Sequence, residues 1–201
     1  MGHAYQTIAF TDAVKSLQNQ LGSRASYARF EEGPLRGNRI GPKEAAFISA
    51  RDSFYMASTS ETGWPYVQHR GGPVGFVRVL DDGTIGFADF AGNKQYVSLG
   101  NLKGNNRVSL FFMDYANKTR LKLFGRAEEA DPDHSKTLSK LAVADYKARV
   151  ERGIIIRVEA LDWNCPQHIT PRYTEAQVAE VVGKLTTRIS ELETKILRRN
   201  G

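Results

Sequence analysis

The sequence predicts a mainly β fold, a small antiparallel β-barrel, and three observations lead to that class. Short segments of alternating apolar and polar residues follow one another between residues 54 and 130. Two of the connections, Glu61-Thr62-Gly63 and Asp81-Asp82-Gly83, are typical of the tight turns that join antiparallel strands. Helical patterns between the segments are few, which argues against a parallel β-α-β sheet and favours a barrel with peripheral helices.

Residues 1–42 are predicted to form an N-terminal arm that lies over the body of the protein. The arm has a short helix over Thr11 to Gln20, and then a Gly/Arg-rich segment over Gly22 to Gly41. Neither stretch has enough apolar residues for a core of its own. Pro42 is suited to the first turn of a helix, and Lys43 to Ala50 supplies helix-forming residues. We therefore place the start of the barrel domain at residue 43.

The barrel domain, residues 43–172, is predicted to hold six or so short antiparallel strands, joined by hairpins and by one or two helices. The first helix follows the fourth strand, over Asn93 to Asn101, and the second covers Lys136 to Val150 after the helix-opening Asp131-Pro132. The strand-like segments are Phe54–Thr59, Trp64–Arg70, Phe76–Leu80, Thr84–Phe90, Arg107–Asp114, Thr119–Ala130 and Gly153–Ala160. The last of these contains three consecutive isoleucines, which is typical of a buried central strand.

Residues 173–201 are predicted to form a C-terminal amphipathic helix. Thr174 and Gln177 have the spacing of a capping box at its start. Its apolar residues are spaced 4, 3, 4, 3 and 4 apart, which is a heptad pattern. They are Val178, Val182, Leu185, Ile189, Leu192 and Ile196. The pattern leaves two possibilities open: the helix packs on its own barrel, or it contacts a second chain.

Composition excludes several classes of protein. No apolar run approaches the roughly 18 residues that span a bilayer, and the start lacks the basic and apolar regions of a secretory signal. The single cysteine, Cys165, cannot form an intramolecular disulfide, so we expect a cytoplasmic protein without a membrane partner. Four scattered histidines make a structural zinc site improbable, and we expect no bound metal.

The net charge of +6 is modest and spread along the chain. It fits a solvated basic surface, or else a ligand that carries negative charge, such as a phosphate-bearing small molecule or a nucleic acid. The aromatic residues fall at core-like positions of strands and do not alternate with Lys or Arg on an exposed face. We therefore expect no nucleic-acid partner.

Three consecutive polar residues, Gln68, His69 and Arg70, form the first candidate site. In an alternating strand at least one of them points inward, where a polar group without a partner costs roughly 1–3 kcal/mol. A ligand can satisfy it, and Gly71-Gly72 would let that ligand approach the backbone closely. The alternative is a strand end that frays into solvent.

The second candidate is the turn Ala91-Gly92-Asn93-Lys94-Gln95-Tyr96 between a strand and a helix. Free backbone N–H groups at a helix start attract an anion, and Lys94 adds a positive charge. This predicts a phosphate site, although lysines near helix starts are common. The segment matches neither the P-loop nor the glycine-rich dinucleotide motif.

The third candidate is the polar loop from Leu161 to Arg172, which contains Trp163, two prolines and His168. Cys165 and His168 suggest a nucleophile and base, but Pro166 between them makes a positioned pair improbable. The loop's other polar residues are better suited to hydrogen bonds with a ligand or an interface: Asp162, Asn164, Gln167 and Arg172. Hydrolase and metal-site motifs are absent from the sequence.

Four segments, taken together, resemble the pyridoxamine 5′-phosphate oxidase-related flavoproteins, in particular the predicted flavin-nucleotide-binding branch. The segments are Arg51–Ala57, Gly63–Pro73, Phe87–Lys94 and Asp162–Ile169, within about residues 43 to 172. The resemblance implies a six-stranded, Greek-key split barrel that forms a homodimer and binds FMN between its protomers.

The resemblance also assigns candidate cofactor residues. Gln68, His69 and Arg70 would line the flavin ring and the ribityl chain. Ala88 and Asp89 would flank the ribityl-phosphate, Asn93 and Lys94 would lie at the phosphate, and Asn101 would assist. Arg120 and the loop of Trp163, Asn164 and Gln167 would reach across from the second protomer.

The sequence departs from the oxidase itself at several of these positions. The oxidase has an arginine at the position of Gln68 and an Arg-Lys pair at the position of Asn93-Lys94. The oxidase's C-terminal arginine and histidine, which bind the substrate phosphate, have no counterpart in the heptad helix. The resemblance therefore implies an FMN-dependent oxidoreductase that passes hydride between a small organic substrate and flavin, with the substrate unidentified. The alternative is a non-catalytic stress or sensor module that binds flavin, deazaflavin or heme.

Overall fold

The computed structural model describes residues 2–130, 139–143, 146–163 and 165–199. The chain divides into two compact units. The larger unit comprises Met1–Met113 and Thr119–Cys165, and the smaller comprises Asp114–Lys118 and Pro166–Gly201. The domain boundaries predicted at residues 42/43 and 172/173 stay predictions.

A seven-stranded sheet forms the body of the protein, in the order β2-β1-β5-β6-β7-β4-β3. The strands are β1 Ser53–Thr59, β2 Pro65–Gly71, β3 Val77–Asp81, β4 Thr84–Phe90, β5 Arg107–Asp114, β6 Thr119–Glu129 and β7 Val150–Trp163. The pairings β1–β2, β1–β5, β3–β4, β4–β7 and β6–β7 are antiparallel.

Two hairpins form where the turn residues predict them. In the first, Gly63 adopts a positive φ of 84°, and the backbone N–H of Trp64 donates to the Ser60 hydroxyl at 3.0 Å. In the second, the backbone N–H of Gly83 donates to Asp81 Oδ1 at 2.8 Å. The short edge strand β3 pairs with β4 through this second turn. The sheet therefore has seven strands, which corrects the expectation of six.

The sheet curls so that its edge strand β2 approaches β4, although the two are not neighbours in the strand order. An ion pair of 2.6 Å joins Arg70 of β2 to Asp89 of β4. Behind it, the ring of Phe54 lies 5.3 Å from Phe87 and 5.9 Å from Phe76. These aromatic side chains are fully buried and form the centre of the core. The predicted antiparallel barrel is thereby confirmed.

The described residues also form α-helices. They are α1 Ala4–Ala9, α2 Asp12–Gln20, α3 Arg24–Ala28, α4 Pro42–Ser49, α5 Val97–Gly104 and α6 Glu175–Arg199. The N-terminal segment contacts the sheet through Tyr5 of α1, which stacks on Phe124 of β6 with ring centroids 4.6 Å apart. α4 begins at Pro42, where its pyrrolidine ring suits the first turn, and Glu44 accepts from the backbone N–H of Gly41 at 3.1 Å.

Three predicted elements have different bounds in the structure. The helix expected over Asn93 to Asn101 begins only at Val97, because Lys94 and Tyr96 adopt left-handed φ values of 58° and 53°. The last strand extends to Trp163, three residues into the segment predicted as a loop. The helix expected over residues 136–150 falls partly outside the described residues; residues 139–141 are helical, and Val150 already belongs to β7.

The smaller unit consists mainly of α6. Its start has the predicted capping box: the backbone N–H of Gln177 donates to the Thr174 hydroxyl at 3.2 Å, and Gln177 Oε1 accepts from the backbone N–H of Thr174 at 2.9 Å. Within the same unit, the Arg172 guanidinium lies 5.0 Å from the ring centre of Tyr115. None of the described helices is both long enough and apolar enough to cross a membrane.

Candidate functional site

A cleft of about 190 Å³ lies between β2, the turn after β4, the start of α5 and the first residues of β7. A second hollow of about 170 Å³ adjoins it and continues along β2 and β4. The two spaces share Gln68, Arg70, Asp89 and Phe90. The first and second candidate sites of the sequence therefore lie at one place in the structure.

The alternation of β2 separates the three polar residues predicted on it. Gln68 and Arg70 are half-buried and line both spaces, whereas the neighbouring positions are exposed. His69 points to the other side of the strand, where its ring packs edge-on against Tyr55 at 5.6 Å and borders only the second hollow. Two of the three side chains thus face the cleft directly.

A buried charge cluster forms the floor of the cleft. Asp89 accepts from Arg70 at 2.6 Å and from Arg152 of β7 at 3.1 Å. The side chains of Arg70, Asp89 and Arg152 are only 15%, 9% and 17% exposed. Burial lowers the pKa of Arg152, but the carboxylates of Asp89, Glu129 and Glu151 outweigh it, so the net shift is upward. Arg152 therefore stays charged at any physiological pH.

One nitrogen of this cluster is left without a partner. Arg70 Nε is buried and makes no hydrogen bond to any described residue. A buried donor without an acceptor costs roughly 1–3 kcal/mol. A ligand oxygen or nitrogen in the second hollow is the kind of group that would satisfy it.

The start of α5 forms the opposite wall. Tyr96 occupies the N-cap position in the left-handed region, and no side chain caps the helix there. Its first backbone N–H groups and the positive end of its dipole are consequently available to an anion beside Lys94. Ser98, in the first turn, donates to Gln68 Oε1 at 2.9 Å and so ties α5 to β2. Asn93 accepts from the backbone N–H of Gln95 at 3.2 Å, which shapes the turn.

The remaining predicted residues lie at different places. Ala88 is buried along the second hollow. Asn101 is buried behind the cleft, where its amide donates to the Ser58 hydroxyl at 2.9 Å and anchors α5 on β1. Trp163 donates to Glu44 at 2.6 Å and packs edge-on against Phe47 of α4.

Arg120, Gln167 and Asn164 are the residues that the resemblance assigns to a second protomer. Arg120 lies on β6 with its guanidinium 6.0 Å from the ring centre of Phe111, and its Nε is buried without a partner among the described residues. Gln167 belongs to the smaller unit and is exposed. Asn164 lies outside the described residues.

Sequence reasoning missed Arg152 and Ser98. Arg152 is directly opposite Asp89 in the register of β4 and β7. The two residues are 63 positions apart, so finding the pair required knowledge of that register. The sequence nonetheless contained a signal. Arg152 immediately precedes the apolar strand Gly153-Ile154-Ile155-Ile156, and a charged side chain beside a buried strand needs a partner. The guanidinium of Arg152 also lies over the ring of Tyr96 at 5.3 Å.

A larger groove, of about 720 Å³, lies elsewhere, between α1 and the β3–β4 turn. Its charged residues are at the surface: Arg39 and Asp82 form a 3.1 Å pair in which both side chains are about two-thirds exposed. The cleft between β2, β4 and α5 is the better candidate for a functional site, because its charged side chains are buried and converge on one space. The described residues contain no group of three or more potential metal ligands.

Residues 40–168 match the family model described as pyridoxamine 5′-phosphate oxidase. Three solved structures are similar to this chain. HupZ from Group A Streptococcus is 18% identical, covering 67% of this chain and 99% of that one, with a TM-score of 0.46. A protein of Clostridium acetobutylicum related to general stress protein 26 of B. subtilis, from the pyridoxinephosphate oxidase family, is 16% identical over 64% and 88%, with a TM-score of 0.44.

The third is an FMN-binding protein from Syntrophomonas wolfei subsp. wolfei, which is 13% identical over 76% of this chain and 97% of that one, with a TM-score of 0.42. No curated protein matches the chain.

Proposed function

The chain belongs to the pyridoxamine 5′-phosphate oxidase family, and on that premise we propose that it is an FMN-binding oxidoreductase whose cofactor lies in the cleft between β2, β4 and α5. The family match covers the whole of this cleft, since its residues lie between Tyr66 and Arg152.

The observation that carries the proposal is the uncapped start of α5 beside Lys94. An uncapped helix start, the exposed ammonium group of Lys94 and the turn around Asn93 surround one side of the cleft. Phosphate is the anion that such backbone N–H groups and a lysine bind well. The phosphate end of FMN would lie here.

We assign the second hollow to the other end of the cofactor. It runs from Arg70 past Gly71 to Phe76 and Phe87, and a flat ring with a polar edge would lie along it. The unpartnered Arg70 Nε would donate to an acceptor at the pyrimidine edge of the ring. A positive charge at that edge favours the reduced, anionic form of the flavin, and Arg70 is held there by Asp89.

A bound flavin would supply the hydride chemistry, accepting hydride from a small organic substrate and passing it to a second acceptor. The protein's part is to bind, orient and polarise. Among the described residues that line the two spaces, His69 is the only histidine and there is no cysteine. Hydride transfer to flavin does not need a general acid or base from the protein, so the same lining is compatible with a module that only binds flavin, deazaflavin or heme.

We propose further that the cofactor is shared by two copies of the chain. The cleft is open on one side, and the family resemblance assigns Arg120 and the Trp163–Gln167 loop to the partner protomer. Arg120 Nε is a second buried donor without a described acceptor, and a ligand phosphate or carbonyl arriving from the other protomer would satisfy it.

The first experiment separates the enzyme from the binding module. The protein is purified without added cofactor, the released chromophore is identified by mass, and the holoprotein is mixed anaerobically with NADH, NADPH and a panel of small organic substrates. We expect FMN, and reduction of the bound flavin faster than that of free FMN. Bound FMN that is reduced no faster than free FMN by any of these would identify a binding module instead.

A further inference from the structure

The C-terminal helix α6 has an exposed apolar seam along its whole length. The six side chains of the heptad pattern are 43–59% exposed. They are Val178, Val182, Leu185, Ile189, Leu192 and Ile196. Alternating intervals of four and three residues place them on one side of the helix, where they form a continuous stripe.

The seam lies on an exposed helix. Every residue from Glu175 to Arg199 is exposed. A helix gains most of its stability from packing of its apolar face, and an apolar stripe of this length is costly in water. An occupant that covers the seam would therefore stabilise α6, and a second chain is one of the two occupants that the heptad pattern leaves open.

The residue types of the seam favour a two-stranded coiled coil. With Val182 at position a of the heptad, the other a positions are Ile189 and Ile196, and all three residues are β-branched. The d positions are Val178, Leu185 and Leu192. β-branched residues at a with leucine at d are the combination that favours parallel dimers, because each fits its own knobs-into-holes geometry.

The flanking charges favour a second copy of the same chain. In a parallel pair, a residue at position g faces position e of the next heptad on the partner helix. Here these are Arg188 at g and Glu193 at e, so two identical helices would form this ion pair twice. In an antiparallel pair, g faces g and Arg188 would lie opposite its own copy, which is repulsive. In the single chain Arg188 pairs instead with Glu191 of the same helix at 2.8 Å.

We propose that α6 forms a parallel, two-stranded coiled coil with α6 of a second copy of this chain. At 1.5 Å per residue, the seam from Val178 to Ile196 gives a contact about 27 Å long. The coiled coil is an interface in addition to the one proposed at the flavin cleft. It would keep two barrels together and so raise the effective concentration at which their clefts meet.

Disulfide trapping in the full-length protein tests this interface without reference to flavin. Cys165 is first replaced by serine, and a cysteine is introduced either by Leu192→Cys at position d or by Lys184→Cys at the outward-facing position c. In a parallel pair, residue 192 faces its own copy at a distance that a disulfide spans. We expect L192C to give a covalent dimer under mild oxidation at micromolar concentration, and K184C to stay monomeric on a non-reducing gel.

A charge exchange tests the choice of partner. In the L192C background, Arg188→Glu places a carboxylate opposite Glu193 and should lower the yield of covalent dimer several-fold, whereas R188E combined with E193R should restore it. Circular dichroism of each variant checks that α6 is still helical.

Absence of the L192C dimer, equal trapping of L192C and K184C, or no restoration by the charge exchange would overturn the proposal. Such a result would not contradict the proposal of FMN binding, because disulfide trapping on α6 does not involve the cleft. Conversely, trapping by L192C in a protein that binds no flavin would contradict only the proposed function.

Discussion

At the scale of single residues, the cleft is organised by one carboxylate between two arginines. Asp89 holds Arg70 in the direction of the second hollow and Arg152 beneath Tyr96. The pair of arginines would repel one another without it. Lys94, by contrast, is exposed and is held in place by the backbone of its turn. The two residues should therefore have separable effects, one on stability and one on ligand binding.

Replacement of Asp89 by asparagine should lower the free energy of unfolding by about 3 kcal/mol, because it leaves two buried guanidinium groups without their shared counter-charge. Chemical denaturation monitored by tryptophan fluorescence measures this loss. Asp82→Asn is the matched control: its ion pair with Arg39 is exposed, so its loss should cost about 0.5 kcal/mol or less. Equal effects of the two substitutions would contradict the proposed importance of the cluster.

Replacement of Lys94 by alanine should weaken FMN binding by about 1.5–3 kcal/mol, the usual range for a hydrogen bond to a charged group. Fluorescence titration of the apoprotein with FMN measures the change, and riboflavin, which lacks the phosphate, should bind both proteins alike. Lys103→Ala, at the other end of α5, is the control and should leave the affinity unchanged. An unaltered affinity of K94A for FMN would contradict the proposed position of the phosphate beside Lys94.

At the scale of elements, the N-terminal segment is attached to the sheet through α1. His3 lies at the start of this helix and pairs with Arg36 in an isolated bridge. Burial lowers the pKa of His3 below its ordinary value of 6.5, and Arg36 lowers it further, against the opposing effect of Asp162. The folded chain therefore prefers the neutral imidazole.

This shift predicts that the segment loosens in acid. The unfolded or detached segment takes up its proton near pH 6.5, whereas the docked one does so only at lower pH, so the docked form loses stability as the pH falls below about 6.5. Above that pH the contribution is constant. Hydrogen exchange of α1 amides, corrected for the intrinsic pH dependence, should accelerate between pH 7 and pH 5.

His3→Asn should abolish this acceleration. His168→Asn is the matched control, since His168 is exposed and has a left-handed φ of 62° that asparagine tolerates. Persistence of the acceleration in the His3 variant, or a His3 pKa at or above 6.5 by NMR, would show that another group is responsible.

At the scale of the whole molecule, local patterns predicted most of the fold. The turns at residues 61–63 and 81–83, and the capping box at Thr174, depend on neighbouring residues only, and the structure has each of them. The start of α5 was misplaced because left-handed residues at Lys94 and Tyr96 have no signature in a sequence without glycine there. The length of β7 depends on its pairing with β4 and β6, which is a property of the whole sheet.

For the candidate site too, local sequence predicted some residues, whereas others depend on how the strands pair. The polar run on β2 and the lysine before α5 were visible in the sequence, and the structure brings Gln68, Arg70 and Lys94 to one cleft. The partnership of Asp89 with Arg152 was not visible, because it depends on the register of β4 against β7. Asn101 and Trp163 donate to other protein residues, Ser58 and Glu44, and their assignment to the cofactor stays a prediction.

The central claim, that two copies of this barrel bind FMN in the clefts between β2, β4 and α5, is tested most directly by native mass spectrometry of the protein after reconstitution with FMN. The account predicts a dimer of two 22.4 kDa chains that carries two FMN molecules, and a K94A dimer that loses them at lower FMN concentration. A protein that stays free of flavin at saturating FMN, as monomer or as dimer, would contradict it.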